Sequence, residues 1–412
     1  MALPLALQRL THDAWLLFVT RFTRLFAYGS LSVVLVFYLV GVGLTEPQIG
    51  LLLTLTLVGD TLVSLSLTTR ADRLGRNRTL VAGALLMAAA GVVFAVTGKF
   101  WILVVAGTIG VISPSGNEVG PFLSIEQAAL TNVVTDRTRT AVFAWYTLTG
   151  SLATALGALA GGSITNLFQH TTMAPVTSYR VVVILYAALG LTLAVLFSRL
   201  SPAAEAVTLG QKKILGLGRS RDVVVKLSAL FALDSFGGGF VVQSFAAYWF
   251  YLRFGINPGV LGAIFFWANI FAGISALLAS RLAARFGLIR TMVGTHLPSN
   301  VLLILVPLMP TLPLAVTMLL IRFSISQMDV PTRQSYVMAV VSPEERSAAA
   351  GVTGIARTIG AAISPLFVGF MFARPALINL PFFIAGTLKI LYDLLLYREF
   401  VTVRPPEESE PT

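Results

Sequence analysis

Asp72-Arg73-Leu74-Gly75-Arg76-Asn77-Arg78, with Arg70 just ahead of it, is a basic knot between two long apolar runs. Leu51 to Leu67 precedes it with one charge, Asp60, and Leu80 to Gly98 follows it with none. Apolar runs of this length cross a hydrocarbon core of about 30 Å as helices. A basic cluster between two of them is what a tight cytoplasmic connection between membrane helices looks like.

The rest of the chain repeats that pattern. Of 412 residues 56% are hydrophobic and 11% charged, where soluble domains carry about 25% charged residues. This composition belongs to a polytopic membrane protein. The net charge of +11 is not gathered on one face; the basic residues punctuate the apolar runs. No zinc-finger spacing or RNA-recognition sequence accompanies them, which argues against nucleic-acid binding. With no cysteine there is no disulfide framework or thiolate metal site, and the three histidines show no metal-ligand spacing. The chain shows no nucleophile–base set and no nucleotide-binding P-loop. Neither enzymatic activity nor ATP-driven transport is expected, and no cofactor or metal. The first residues lack a cleavable-signal pattern, so the first helix is expected to insert as its own signal.

Reading apolar runs against Gly, Pro and charge punctuation predicts an all-α membrane protein of twelve spans. They are 15–40, 48–69, 79–98, 101–133, 140–164 and 180–199, then 227–252, 258–281, 290–309, 312–340, 346–373 and 376–397. The domains expected are a six-helix bundle over 1–199, a cytoplasmic central loop over 200–226, a second bundle over 227–398, and a flexible tail over 399–412. If both termini lie inside, 19 Lys/Arg fall on the inner side and four, Lys99, Arg180, Arg253 and Arg374, on the outer side. That asymmetry places both termini in the cytoplasm and the chain in the plasma or inner membrane.

The two halves also match each other. A shift of 212 residues lays Gly43 on Gly255, Gly50 on Gly262, Arg73 on Arg285, Gly75 on Gly287 and Arg78 on Arg290. A shift of 207 lays Gln127 on Gln334, Val134 on Val341, Arg139 on Arg346 and Gly162 on Gly369. Two six-helix repeats follow, with a five-residue difference most simply read as one loop insertion.

These residues resemble the major facilitator superfamily over essentially the whole length. Asp72, Arg73, Gly75, Arg76 and Arg78 meet its Asp-Arg-x-Gly-Arg-x-Arg signature between helices 2 and 3. The glycine usual four residues earlier is Thr68 here. Ser342-Pro343-Glu344-Glu345-Arg346 resembles the acidic-then-Arg signature between helices 10 and 11. Gly157-Ala158-Leu159-Ala160-Gly161-Gly162 resembles, without its proline, a signature of drug:proton antiporters. The resemblance implies two pseudo-symmetric bundles, alternating access, and a conformational latch at Asp72, Arg73, Gly75, Arg76, Arg78, Glu344 and Arg346. The fold expected is therefore that of the superfamily.

Ionisable groups at membrane depth cost roughly 3 kcal/mol or more, so each calls for a function or a partner. Asp60, near the middle of span 2, is a candidate proton-coupling carboxylate, or else a helix–helix hydrogen bond. In span 4, Ser113-Pro114-Ser115-Gly116-Asn117-Glu118-Val119-Gly120-Pro121 surrounds Glu118 with two prolines and two glycines. Proline frees carbonyls as at broken-helix binding sites, making Glu118 a substrate or proton candidate, or else a residue of a kink satisfied by span 1 or 2. Glu126 and Arg333 coincide under the 207 shift and read as a gate pair between the halves, or as groups paired each within its own half. Arg21 and Arg24 flank the position matched to Asp234, and are gate candidates that could neutralise it or attract an anion. Arg322 and Asp329, with Asn269 and Gln243, could line a polar cavity. Lys389 and Asp393, four apart, are expected to pair within one helix, and Arg357 has no assigned role. Gly157, Gly161 and Gly162 are helix-packing glycines.

The expected function is secondary transport of a small molecule by alternating access, with proton-coupled efflux (antiport) ahead of uptake by symport or a non-transporting receptor. The partners expected are the solute, protons and the lipid bilayer, with the protein a monomer.

Overall fold

The computed structural model describes residues 10–134, 136–171, 173–205, 218, 220–342 and 345–403. Among them every regular element is helical, and in chain order these elements complete twelve spans. Span 1 is α1 (His12–Gly41), span 2 is α2 (Glu46–Leu74) and span 3 is α3 (Arg76–Val96). Span 4 comes in two pieces, α4 (Phe100–Ile109) and α5 (Phe122–Val133); spans 5 and 6 are α6 (Asp136–Gln169) and α7 (Pro175–Ser198). Span 7 is again divided, α8 (Arg221–Gly239) and α9 (Gln243–Phe254), followed by α10 (Pro258–Phe286) and α11 (Leu288–Leu305). Span 10 is α12 (Leu312–Ser326) and α13 (Asp329–Val340); α14 (Arg346–Phe372) and α15 (Leu380–Phe400) close the chain. Eleven spans in the described residues are long and apolar enough to cross a membrane; the apolar part of span 4 is confined to Phe100–Ile109.

The repeat is visible in the backbone itself. Moving α2 and α3 by 212 residues gives 258–286 and 288–308, the bounds of α10 and of α11 with its terminal turn Val306–Leu308. Gly43 and Gly255, and likewise Gly75 and Gly287, share positive φ values (96° and 65°, 94° and 85°). L-residues with a Cβ avoid that region, which explains why glycine is kept at both copies of each turn. Moving α5 by 207 gives 329–340, the bounds of α13. The shift therefore changes inside span 4, between α4 and α5. The five extra residues of the first half are not in a loop between spans, where they were expected. They lengthen the break in span 4, non-helical over 110–121, whereas the break in span 10 covers only 327–328.

The chain divides into two compact units. The first comprises residues 1–210 with 243–266, and the second 211–242 with 267–412. The expected boundaries at 199 and 227 did not place 243–266, which contains α9 and the start of α10, with the first unit.

In the first unit span 1 is the central helix: 83% of its apolar window is buried, against 28–56% for the other spans. Glycines bring span 5 against it. A Cβ at Gly157 would stand 2.1 Å from the Phe26 carbonyl oxygen, one at Gly161 2.3 Å from that of Ser30, and one at Gly29 2.2 Å from that of Thr154. Gly162 instead lies against Pro258 and Gly262 at the start of α10. Close backbone approach of this kind is what small residues supply where lipid gives helices no hydrophobic reason to associate. The obstructing atoms are backbone and cannot swing away. Gly157→Val is therefore expected to cost at least about 2 kcal/mol, read as a lower midpoint in detergent thermal unfolding; an unchanged midpoint would refute this packing role.

The second unit has its own core, in which Val224, Leu227 and Phe231 of span 7 meet Met292 of span 9, Tyr336 of span 10, Ala349 of span 11 and Tyr392 and Leu396 of span 12. Here too glycines set the approach. Gly360 lies against the Ala232 carbonyl, and Gly239 against Ala361 and Ser364.

Candidate functional site

Two arginines one helical turn apart on span 1 meet two glutamates of span 4. Arg24, fully buried, donates both terminal nitrogens to Glu126 at 2.7 Å each, and to Glu118 through Nε and Nη2 at 3.2 Å. Arg21 donates to Glu118 Oε1 at 2.5 Å. Glu126 also accepts from Thr20 at 2.9 Å and from the Tyr146 hydroxyl. Its side chain is 0% exposed against 19% for Glu118, so Glu118 is the member of the set that meets open space. The aromatic ring of Tyr146 lies 4.4 Å beneath the Arg21 guanidinium, and Gly150 leaves the room that guanidinium occupies. Two cations and two anions give a neutral cluster, so each charge is compensated at membrane depth.

The break in span 4 puts Glu118 there. The prolines and glycines of 110–121 end α4, and the freed carbonyls need donors. Tyr28 and Tyr186 supply hydroxyls to Val119 and Val111, Thr154 donates to Gly116 at 3.3 Å, and the Ser244 backbone N–H donates to Pro114 at 3.1 Å. Gln243 donates to Ser32 at 2.8 Å beside it, so the first turn of α9 is tied to spans 1 and 4 within the first unit. Asp60 reaches the far side of the break: its Oδ1 accepts from Gly120 N at 2.6 Å and from Ser64 at 3.4 Å. It is buried, and among the described residues no cation pairs with it.

In the second unit the polarity is exchanged, with the acid on span 7 and cations on spans 10 and 12. Asp234 accepts from Lys389 at 2.6 Å and from Arg333 at 3.0 Å, and Arg333 also lies 3.3 Å from Asp329 one turn earlier. Gly237 and Gly238 face the Lys389 stem, so the glycine run of span 7 opens its route to Asp234. Asp393 does not pair with Lys389, as their spacing suggested. It takes His296 at 2.8 Å and Asn300 at 2.9 Å from span 9. Two partners on one neighbouring helix outcompete one intrahelical contact because a buried carboxylate gains from each additional donor. His296 and Asn300 were not read as site residues: beside Thr295 and Ser299 they form a polar stripe on span 9, but the sequence does not say which helix faces it.

The other expected residues divide as follows. Glu126 and Arg333 each have ion-pair partners in their own half, and Arg21 and Arg24 serve Glu118 and Glu126 while Asp234 is served by Lys389 and Arg333. Arg322 and Asn269 are half-buried on spans 10 and 8. At the basic knot Gly75 begins α3, whose first N–H groups, Arg76 and Asn77, donate to the Glu205 carboxylate at 2.7 and 3.1 Å. Glu205 is thus an unforeseen acid at a helix N-terminus, where the helix dipole favours one. Glu345 does the same for Gly218 N and Ser220 N ahead of α8, at 2.6 and 2.9 Å. Arg78 and Arg346 are exposed, while Glu344 and the side chains of Asp72 and Arg73 lie outside the described residues.

Comparison with known proteins agrees with this architecture. A family model described as Major Facilitator Superfamily matches residues 17–365 and 227–412. An uncharacterized membrane protein of Saccharomyces cerevisiae, YJR124C, is 31% identical over 426 residues, covering 95% of each chain. Among solved structures the nucleoside transporter NupG superposes with a TM-score of 0.74 at 15% identity, covering 95% of this chain and 99% of that one. A bacterial homologue of the human lysosomal transporter Spinster gives 0.74 at 15% identity, over 95% and 97%. A D-xylose–proton symporter gives 0.70 at 13% identity, over 97% and 99%. At such identities the structures speak for the fold alone, and the family rests on the sequence matches. With two six-span repeats, broken spans and charge clusters at membrane depth, the chain belongs to the major facilitator superfamily, a family of membrane transporters.

Proposed function

We propose that this protein is a secondary transporter that exports a small molecule by alternating access in exchange for protons, with both termini in the cytoplasm. The observation that carries the proton coupling is Asp60. Glu118 and Glu126 are neutralised by arginines, Asp234 and Asp329 by Arg333 and Lys389, and Asp393 is held by His296 and Asn300. Asp60 has hydrogen-bond donors only, so at this depth a proton is the cheapest neutralising partner available to it. Its bond to Gly120 ties its charge state to the backbone of the break in span 4. Protonation weakens that bond and lets the break rearrange, which couples proton binding to the shape of the segment holding Glu118. The glycine run of span 5, seated on span 1, supports exchange over symport through its likeness to the antiporter signature.

The test is reconstitution into liposomes loaded with a pH-sensitive dye. Solutes added from a library of anions, cations and neutral metabolites should evoke proton movement opposite to solute movement. Asp60→Asn should reduce that signal to the level of protein-free liposomes while solute counterflow persists. Proton and solute moving together would make the protein a symporter. Full proton flux in the variant would remove Asp60 from the coupling role, and the absence of flux with every solute would favour a receptor.

A further inference from the structure

Arg322 and Arg357 differ from the other cations at membrane depth in the second unit in making no ion pair among the described residues. Arg322 lies ten residues into span 10 and Arg357 eleven into span 11, each about 15 Å from the nearer helix start. That distance exceeds what an arginine side chain spans by snorkelling. Arg322 falls on the same helical face as the buried Ala315, Leu319 and Ser326, and Arg357 on that of Ala349, Thr353, Gly360 and Ser364. Both therefore point into the protein rather than to lipid. Arg357 lies foremost within electrostatic range of the Arg333 cation, and both arginines lie within range of Asp234 and Asp329. Those carboxylates are already held by Arg333 and Lys389, and among the described residues neither Arg322 nor Arg357 pairs with an acid. The Nε atom of each is buried without a hydrogen-bond partner.

The repeat shows what is missing. The 207 shift lays Arg357 on Gly150, the residue that makes room for the Arg21 guanidinium in the first half. There the guanidinium is answered by Glu118, carried in the long break of span 4. Span 10 lacks the five extra residues, and Glu118 falls on Ile325 in one register and Val330 in the other. The second half thus carries an arginine at the position of Gly150, and among the described residues no acid pairs with it.

We infer that Arg322 and Arg357 form an anion-binding site in the second half, and that the transported solute is a small organic anion bearing a carboxylate or phosphate group. Guanidinium presents paired donors that match both groups, and at low dielectric such charge-assisted bonds are the strong ones. An anion bound there takes the place that Glu118 fills in the first half. The substrate assignment rests on the transport reading above; the binding site does not.

The experiment measures binding separately from flux. Purified protein in detergent is titrated with succinate, glycerol 3-phosphate, glucose, uridine and choline, following the thermal unfolding midpoint. Succinate or glycerol 3-phosphate should raise the midpoint by a few degrees, the other three should not, and the stronger of the two anions identifies the group recognised. Arg322→Gln and Arg357→Gln should each weaken anion binding about tenfold or more, with Arg→Lys variants intermediate because charge remains without the planar fork. Stabilisation by glucose, uridine or choline but not by the anions, or unchanged anion affinity in both glutamine variants, overturns the site. The selectivity arm needs no variant and stands even where a substitution prevents folding. Anion-dependent stabilisation without flux in liposomes would keep the site and remove the transport reading; flux of neutral solutes alone would do the reverse.

Discussion

Arg24→Met is expected to lower the stability of the folded protein by about 3 kcal/mol or more, because it removes the cation that bridges Glu118 and Glu126 and strands the buried Glu126. Arg24 makes four of the hydrogen bonds in its cluster, and among the described residues Glu126 has no other cation. Once the arginine is gone, Glu126 keeps only Thr20 and the Tyr146 hydroxyl, at a position with no exposed surface. Glu118 fares better, since Arg21 remains at 2.5 Å. Glu126→Gln should cost less than Arg24→Met: it leaves Arg24 with Glu118, and the one amide oxygen can still accept from Thr20 or from Tyr146. The double change Arg24→Met with Glu126→Leu removes both buried charges and should recover most of the loss, since a buried ion pair repays its desolvation only in part. Thermal unfolding in detergent, followed by intrinsic fluorescence, orders the three variants. A midpoint for Arg24→Met equal to that of the parent, or a double variant less stable than the single, would show that the cluster does not hold span 1 to span 4.

How much of this could be read from sequence depended on the range over which each signal acts. The spans, the basic knot and the repeat are local or periodic, so apolar run length and a fixed offset exposed them. The break in span 4 was half legible: Pro114, Gly116, Gly120 and Pro121 announced irregular backbone, but not that the five-residue offset between repeats lies inside that break. Partners were harder. Periodicity gives the depth and face of a charge, but not which neighbouring helix it meets. Glu126 and Arg333 coincide under the repeat, which left a pair between halves and a pair within each half equally open; each carries an ion pair inside its own. Lys389 and Asp393 satisfy the i,i+4 rule and yet turn to different helices, because the rule describes an exposed helix with no better partner. His296 and Asn300 stand one turn apart beside Thr295 and Ser299, but such a polar stripe becomes informative only when the fold brings Asp393 to it.

The last expectation concerns the cluster in which the charge pattern of the first half is exchanged. Asp234→Asn should destabilise the protein by about 3–5 kcal/mol, the range for leaving buried charge uncompensated. Asp234 is the only carboxylate bonded to Lys389 among the described residues, and it shares Arg333 with Asp329. Its loss leaves Lys389, 9% exposed, facing Arg333 across a site that the asparagine can bond but not neutralise. The reverse substitution is gentler: after Lys389→Met, Asp234 retains Arg333, and Arg333 retains Asp329. The stability order should therefore run parent, Lys389→Met, Asp234→Asn. Combining Asp234→Asn with Lys389→Met should be less harmful than Asp234→Asn alone, because it removes the cation the asparagine cannot serve. This non-additivity is the discriminating result, since sites that act independently would give additive losses. Additive losses, or Lys389→Met as the more damaging single change, would mean that Asp234 is not the point on which spans 7, 10 and 12 are held together.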